Sequence, residues 1–172
     1  METPGDVTAI DSTPGDGAVT TDDPSDRISL SMSLLMTPDM ANFTGNVHGG
    51  TLLKLLDQVA YACASRYSRR YAVTLSVDRV IFREPIRVGE ILTLSASVNY
   101  TGRTSMEVGI RVDTENVRTG ERRHTNSCYF TMVATDDNGR PHPVPQLVPR
   151  TELQKRRHQR ALDRRAALRS AQ

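Results

Sequence analysis

The spacing of apolar residues changes along the chain, and each change predicts an element. Residues 28–34, Ile-Ser-Leu-Ser-Met-Ser-Leu, alternate apolar and polar positions, the period of a strand with one buried face. Residues 37–46 carry Pro38, Asp39, Asn42, Gly45 and Asn46 and predict a shaped loop. Gly49 and Gly50 then open a helical stretch to about residue 67. Its apolar residues, from Leu52, Leu53, Leu55 and Leu56 through Val59 to Ala64, cover nearly the whole circumference. Such a helix is expected to be buried on most sides. Lys54 and Asp57 interrupt it and, three apart, share a face. Four strand-like runs follow at 72–82, 91–100, 105–113 and 124–135, with clean alternation at Leu92, Leu94, Ala96, Val98 and at Met106, Val108, Ile110, Val112. Glu84-Pro85, Val88-Gly89, Thr101-Gly102 and Thr119-Gly120 mark the turns between them. Their shortness predicts an antiparallel meander.

One strand, one very apolar helix and four antiparallel strands make an α+β domain. Its natural packing is a curved antiparallel sheet wrapped around a central apolar helix, the hotdog arrangement. A single sheet of this kind leaves edges and a face to be covered, so a homodimer is expected. The ends are different. Residues 1–26 are rich in Asp, Thr, Gly and Pro and predict disorder, because they offer too little apolar surface to offset the ordering entropy. Residues 141–149 are proline-rich and extended. Residues 151–172 predict a basic, weakly amphipathic helix, more often solvated or an oligomer clasp than a contact for nucleic acid or an acidic membrane surface. The chain thus divides into an acidic tail (1–27), a central domain (28–149) and a basic C-terminal helix (150–172).

Charge follows the same division. The net charge of +2 hides an acidic N-terminal end, with Asp6, Asp11, Asp16, Asp22 and Asp23, and an arginine-rich C-terminal end. The tails cancel, so the core implies no nucleic-acid partner. Cys63 and Cys128 sit among apolar residues and read as reduced, buried thiols. The N-terminus lacks a basic and an apolar signal region, and no apolar run reaches membrane-spanning length. Together these predict a cytoplasmic protein with no transmembrane segment.

Candidate chemistry concentrates in residues 42–57, Asn-Phe-Thr-Gly-Asn-Val-His-Gly-Gly-Thr-Leu-Leu-Lys-Leu-Leu-Asp. Gly49 and Gly50 allow close backbone approach at a helix start, where unpaired N–H groups and the positive dipole end favour an oxyanion. Asp57 lies two turns on, in an otherwise apolar helix, where a carboxylate is costly unless paired or used. It either activates a water as general base or attacks as a nucleophile. Asn42 is placed to orient that water or a carbonyl. Plainer readings stand beside these. Asp57 pairs with Lys54 or projects into solvent, and His48 is a capping residue more often than a base. Cys63 has no cation or base beside it and does not suit a nucleophile.

In combination these residues resemble a family signature. The string N-x-x-G-x-x-x-G-G-x-x-L-x-x-x-D, filled by Asn42, Gly45, Gly49, Gly50, Leu53 and Asp57, is similar to that of the cytosolic acyl-CoA hydrolases. That family includes the bacterial YciA-type thioesterases and the animal brain acyl-CoA hydrolase. The resemblance extends from about residue 30 to 149 and takes in Phe82-Arg-Glu-Pro-Ile-Arg-Val-Gly89 and Gly102-Arg-Thr-Ser-Met-Glu-Val108. It implies a hotdog thioesterase that hydrolyses fatty acyl-CoA to free CoA and a carboxylic acid, with no metal or other cofactor. It further implies active sites at a dimer interface, where Asn42 of one subunit works with Asp57 of the other, and often a trimer of dimers. By the same resemblance, backbone N–H groups of His48, Gly49 and Gly50 polarise the carbonyl. Val77 and Val80 line the pantetheine channel, Arg103, Thr104 and Ser105 lie near the CoA phosphates, and Arg79 and Arg83 are further contributors.

Two other functions fit an acyl-CoA fold of this kind. A hydratase needs Asp and His close together, and His48 precedes Asp57 by a distance that matches this badly. A non-catalytic acyl-CoA-binding sensor adds a DNA-reading helix pair at the N-terminus, which the acidic, Pro- and Gly-rich residues 1–27 do not supply.

Overall fold

The structure, a computed structural model, describes residues 23–78, 80, 81 and 84–170. A long helix lies against one face of a five-stranded antiparallel sheet, and a second helix lies on the other face. In chain order the elements are β1 (Ser29–Leu35), α1 (Gly49–Ser68), β2 (Tyr71–Asp78), β3 (Glu90–Thr101), β4 (Ser105–Asn116), β5 (Arg122–Thr135) and α2 (Glu152–Ser170).

The alternation seen in the sequence sets the inner face. Leu94 pairs with Val112, Ala96 with Ile110 and Val98 with Val108 across β3 and β4. Ile110 then faces Cys128, Val108 faces Phe130 and Met106 faces Met132 across β4 and β5. All of these are buried, and Leu52, Leu56, Val59, Ala60, Cys63 and Ala64 of α1 complete the core. Burial pushes the Cys63 and Cys128 thiols up to about 12, so both are held protonated.

The strand order corrects the expected meander. It is β1-β3-β4-β5-β2, so only β3, β4 and β5 are consecutive neighbours. β2 pairs with β5 at one edge, and the chain then crosses to the far side, where β3 pairs with β1. β2 also stops at Asp78, earlier than residue 82. As an edge strand it buries only Ala72 and exposes Tyr71, Val73, Leu75 and Val77. The all-round burial of α1 is corrected too. Its buried residues form a stripe, and Leu53, Asp57 and Tyr61 lie on an exposed face.

The expected disorder of residues 1–26 falls outside the described residues as far as 22. Residues 23–27 depart from it, because Pro24–Arg27 is a 3-10 helix with Arg27 buried. The Ser25 backbone N–H and hydroxyl hold the Asp23 carboxyl below its usual range, and Arg150 reaches Asp23 Oδ2 at 3.0 Å and Ser25 Oγ at 2.9 Å.

The proline-rich stretch after β5 runs across the sheet end. Val144 N donates to Arg103 O at 3.0 Å, Leu147 N to Thr101 Oγ1 at 2.8 Å, and Tyr67 Oη to Pro145 O at 3.3 Å. It delivers the chain to α2, which clasps its own sheet. Ala161 is buried there, Arg164 pairs with Glu107, and His158 Nδ1 lies 3.0 Å from Asn99 O. Among the described residues no helix is long and apolar enough to cross a membrane.

Candidate active site

The loop before α1 is tied by its own side chains. Asn42 Oδ1 accepts from Thr44 N at 2.9 Å, Thr44 Oγ1 at 2.7 Å and Asn46 N at 3.1 Å. This is an Asx-type turn, and Gly45 at φ 81° supplies the left-handed residue it needs. The oxygen of Asn42 is therefore committed to its loop, and no hydrogen bond links Asn42 to Asp57 among the described residues.

The helix start is partly capped. His48 is the N-cap residue, and its Nδ1 accepts from Gly50 N at 2.9 Å. The His48 N–H donates to Met40 O at 2.8 Å. Of the three backbone donors named from the sequence, Gly49 N–H alone has no hydrogen bond to a described residue. His48 thus takes the capping role that the sequence left open.

Asp57 does not lie buried in the helix core. It points out of the exposed face of α1 into an open groove of about 520 Å3 between α1 and the edge strand β2, lined also by Gln58, Tyr61, Tyr71, Val73 and Thr74. No ion pair joins it to Lys54 among the described residues. Instead Thr74 Oγ1 donates to Asp57 Oδ1 at 2.5 Å. A charge-assisted bond of this kind fixes one carboxylate oxygen and leaves the other free. Tyr61 and Tyr71 close one end with ring centroids 5.3 Å apart. Thr74 was not singled out in the sequence, because a threonine in a strand is ordinary and its relation to Asp57 exists only after folding.

The other named residues spread along β2 and the adjacent turn. Val77 is exposed on β2 opposite Phe130, and Val80 is partly buried against the core. Arg79 and Arg83 lie outside the described residues. Arg103, Thr104 and Ser105 form the turn from β3 into β4, where Ala134 N donates to Thr104 O at 3.0 Å. Ser105 pairs with Val133, and Val133 pairs with Val73, so this turn lies at the end of the sheet that carries Thr74.

Comparison with known proteins bears on the fold and the family. The family model described as Thioesterase superfamily matches residues 44–121. Protein VdlD of Helicobacter pylori is 55% identical over 142 residues, covering 83% of this chain and 81% of that one. The solved apo-hexameric acyl-CoA thioesterase superposes with a TM-score of 0.81 at 38% identity, covering 85% of this chain and 94% of that one. An acyl-CoA hydrolase from Staphylococcus aureus, solved with butyryl coenzyme A and coenzyme A, superposes with a TM-score of 0.76 at 31% identity, covering 86% and 91%. That protein has also been solved with an Asn, an Asp or a Thr replaced by Ala. The intervals from its Asn to its Asp, and from its Asp to its Thr, equal those from Asn42 to Asp57 and from Asp57 to Thr74. With its antiparallel sheet packed on the long helix α1 and these identities over most of its length, the chain belongs to the hotdog thioesterase superfamily and, within it, to the acyl-CoA hydrolases.

Proposed function

We propose that the protein hydrolyses acyl-CoA to free CoA and a carboxylic acid at the α1–β2 groove, with Asp57 as the general base. The observation that carries this is the Asp57 carboxylate, exposed in the groove and held through one oxygen by Thr74. The free oxygen takes a proton from a water, and the hydroxide adds to the thioester carbonyl carbon. Negative charge develops on the carbonyl oxygen, which Gly49 N–H is placed to meet at the positive end of α1. Gly50 N–H joins it when the His48 ring turns away. Collapse of the tetrahedral intermediate breaks the C–S bond, and the proton on Asp57 passes to the departing thiolate. Every atom of the reaction comes from substrate and water, and the cycle uses no cofactor.

The site is completed by a second copy. Asn42 has its oxygen engaged in its own loop, which leaves the Nδ2 amide as the group to offer across an interface. The exposed apolar residues Tyr71, Val73, Leu75 and Val77 on edge strand β2, with Leu53 and Tyr61 on α1, supply a surface for that partner. A homodimer with two such sites, assembled as a trimer of dimers, accords with the hexameric relative. Val77, Val80 and the turn at Arg103, Thr104 and Ser105 are assigned to the pantetheine and phosphate portions of CoA, with Arg79 and Arg83 as further phosphate contacts. The protonated, buried thiols suit a cytoplasmic setting.

The test is free-thiol release across short, medium and long acyl-CoAs. Wild type releases thiol, and Asn42→Ala and Asp57→Ala each lose activity. When the two variants are unfolded together and refolded, half of the dimers are mixed and each carries one intact site. Activity then returns to about a quarter of wild type. No recovery despite demonstrated subunit exchange refutes the shared site, and no thiol release by the wild type refutes the hydrolase.

A further inference from the structure

Arg123, near the start of β5, is turned inward by an irregularity in its strand. Val112 pairs with Asn126 and Asp113 with His124, so Thr125 is the extra residue of a β-bulge. One extra residue flips the faces of those before it. Arg123 thereby falls opposite the buried Thr114 on the inner face, while His124 falls opposite Asp113 on the outer one. From there the Arg123 guanidinium holds two carboxylates. Nη2 donates to Glu90 Oε1 and Nη1 to Glu84 Oε2, each at 2.7 Å. Glu90 is buried, and its other oxygen accepts from Arg87 N at 2.9 Å. Arg123 therefore clamps both ends of segment 84–90, which has no helix or strand of its own until Glu90 begins β3.

That segment carries the Asn42 loop. Val47 N donates to Ile86 O at 2.8 Å, and Asn46 and Arg87 form an antiparallel bridge. At the start of the loop Met36 N donates to Glu90 O at 2.9 Å and Gly89 N to Met36 O at 2.7 Å. Among the described residues, loop 36–47 makes its backbone hydrogen bonds to itself, to the start of α1 and to this segment. Inside the loop Asn42 N donates to Asn46 O at 2.6 Å, and Asn42 Oδ1 accepts from Asn46 N. A continuous run of contacts thus leads from Arg123 through Glu90, Arg87 and Asn46 to Asn42.

We propose that Arg123 is a positioning residue for Asn42: its clamp on segment 84–90 sets where the Asn42 amide stands in the active site. The inference rests on the shared site proposed above, in which Asn42 of one subunit serves Asp57 of the other. Arg123 does not line the Asp57 groove of its own chain, so it acts through the loop alone. A planar guanidinium spans two carboxylates that an ammonium would hold one at a time. Misplacing a catalytic group by about 1 Å can cost on the order of 100-fold in rate. The loop that Arg123 sets works with the partner's Asp57. Loss of Arg123 therefore damages the site holding the partner's carboxylate and spares the site holding its own.

The experiment is steady-state thiol release by the full-length protein, followed by subunit mixing. Arg123→Ala should lower kcat about tenfold or more and change KM far less. Arg123→Lys, which keeps the charge, should recover most of that loss. Arg122→Ala, which removes an exposed neighbour paired with Glu115, should match wild type. Where Arg123→Ala does not yield folded protein, Arg123→Gln/Glu90→Gln leaves no buried charge unpaired and replaces it with the same expectation. Refolded together with Asp57→Ala, Arg123→Ala should return to about a quarter of wild type, because each mixed dimer joins a sound Asn42 loop to a sound Asp57. Refolded with Asn42→Ala, it should not rise above its own rate, because no site then has both. A kcat for Arg123→Ala within about twofold of wild type, or Arg123→Lys no better than Arg123→Ala, overturns the proposal. Equal recovery in the two mixtures makes Arg123 a general prop of the fold and overturns it as well. The mixture of Asn42→Ala with Asp57→Ala tests the shared site separately. The kcat comparison does not depend on which subunit supplies Asn42, so it tests Arg123 even where that mixture fails.

Discussion

Replacing Thr74 by Val removes the hydroxyl that holds Asp57 and keeps the shape of the side chain. The bond it removes is short, 2.5 Å, and runs to a carboxylate. Hydrogen bonds to charged groups contribute about 1.5–3 kcal/mol. In the single chain Thr74 is exposed, and water competes for the carboxylate, which places the loss near 1.5 kcal/mol, or about tenfold in kcat. When a second subunit covers the groove, the loss moves toward 3 kcal/mol, or roughly 150-fold. The size of the effect therefore reports whether the groove is closed in the working enzyme. Thr74 acts through Asp57 and is a positioning residue, so KM should change far less than kcat. Thr74→Ser retains the hydroxyl and should stay near wild type. Valine suits an edge strand, so the unfolding free energy should move by no more than about 0.5 kcal/mol. The assay is steady-state thiol release, with urea unfolding as the control. A Thr74→Val enzyme with kcat within about twofold of wild type would refute the assigned role of this contact.

Arg164→Ala leaves the Glu107 carboxylate, 5% exposed, without its partner and should cost about 3 kcal/mol in urea unfolding, with much of it recovered by adding Glu107→Gln. Leu56→Ala empties a fully buried position between α1 and the sheet and should cost about 2–5 kcal/mol by the same measurement. Burial raises Cys63 and Cys128 from about 9.0 to about 12. Their contribution to stability is fully present below pH 9 and is lost as pH climbs through 9 toward 12, so the unfolding midpoint should fall across that window. For the same reason both thiols should resist alkylation at pH 8 in the native protein and react once it is denatured.

The elements were legible in the sequence where burial is one-sided. Leu92 to Val98 and Met106 to Val112 alternate because one face of each strand meets α1, and that pattern placed β3 and β4 within a few residues of their observed ends. The position of β2 was not legible. Tyr71, Val73, Leu75 and Val77 alternate like core residues, and only the strand pairing shows that they sit on an open edge. The length of the connection before β3 gives no hint that the chain crosses the sheet. For α1, counting apolar residues around the helix overstated its burial, because Leu53 and Tyr61 are apolar yet exposed.

At the candidate site, the sequence marked Asp57 as a carboxylate out of place and placed it on the right helix. It could not show the contact with Thr74, which joins residues far apart in the chain. It left open the capping role of His48, which follows from a 2.9 Å hydrogen bond to Gly50 N. The C-terminal helix was expected from the sequence, but its docking on the sheet escaped for a different reason. α2 is held by Arg164 on Glu107, His158 on Asn99 O and Arg164 stacked over the Tyr129 ring at 3.5 Å, and polar contacts leave no apolar period to read.

The most direct test of Asp57 as the base of thioester hydrolysis is the rate of free-thiol release by Asp57→Asn against wild type at saturating acyl-CoA. Asparagine keeps the size of the side chain and an oxygen for Thr74 to donate to, but it takes no proton. We expect a fall of about 10²–10⁴-fold in kcat, with CoA binding intact. Release by Asp57→Asn at the wild-type rate would contradict the mechanism.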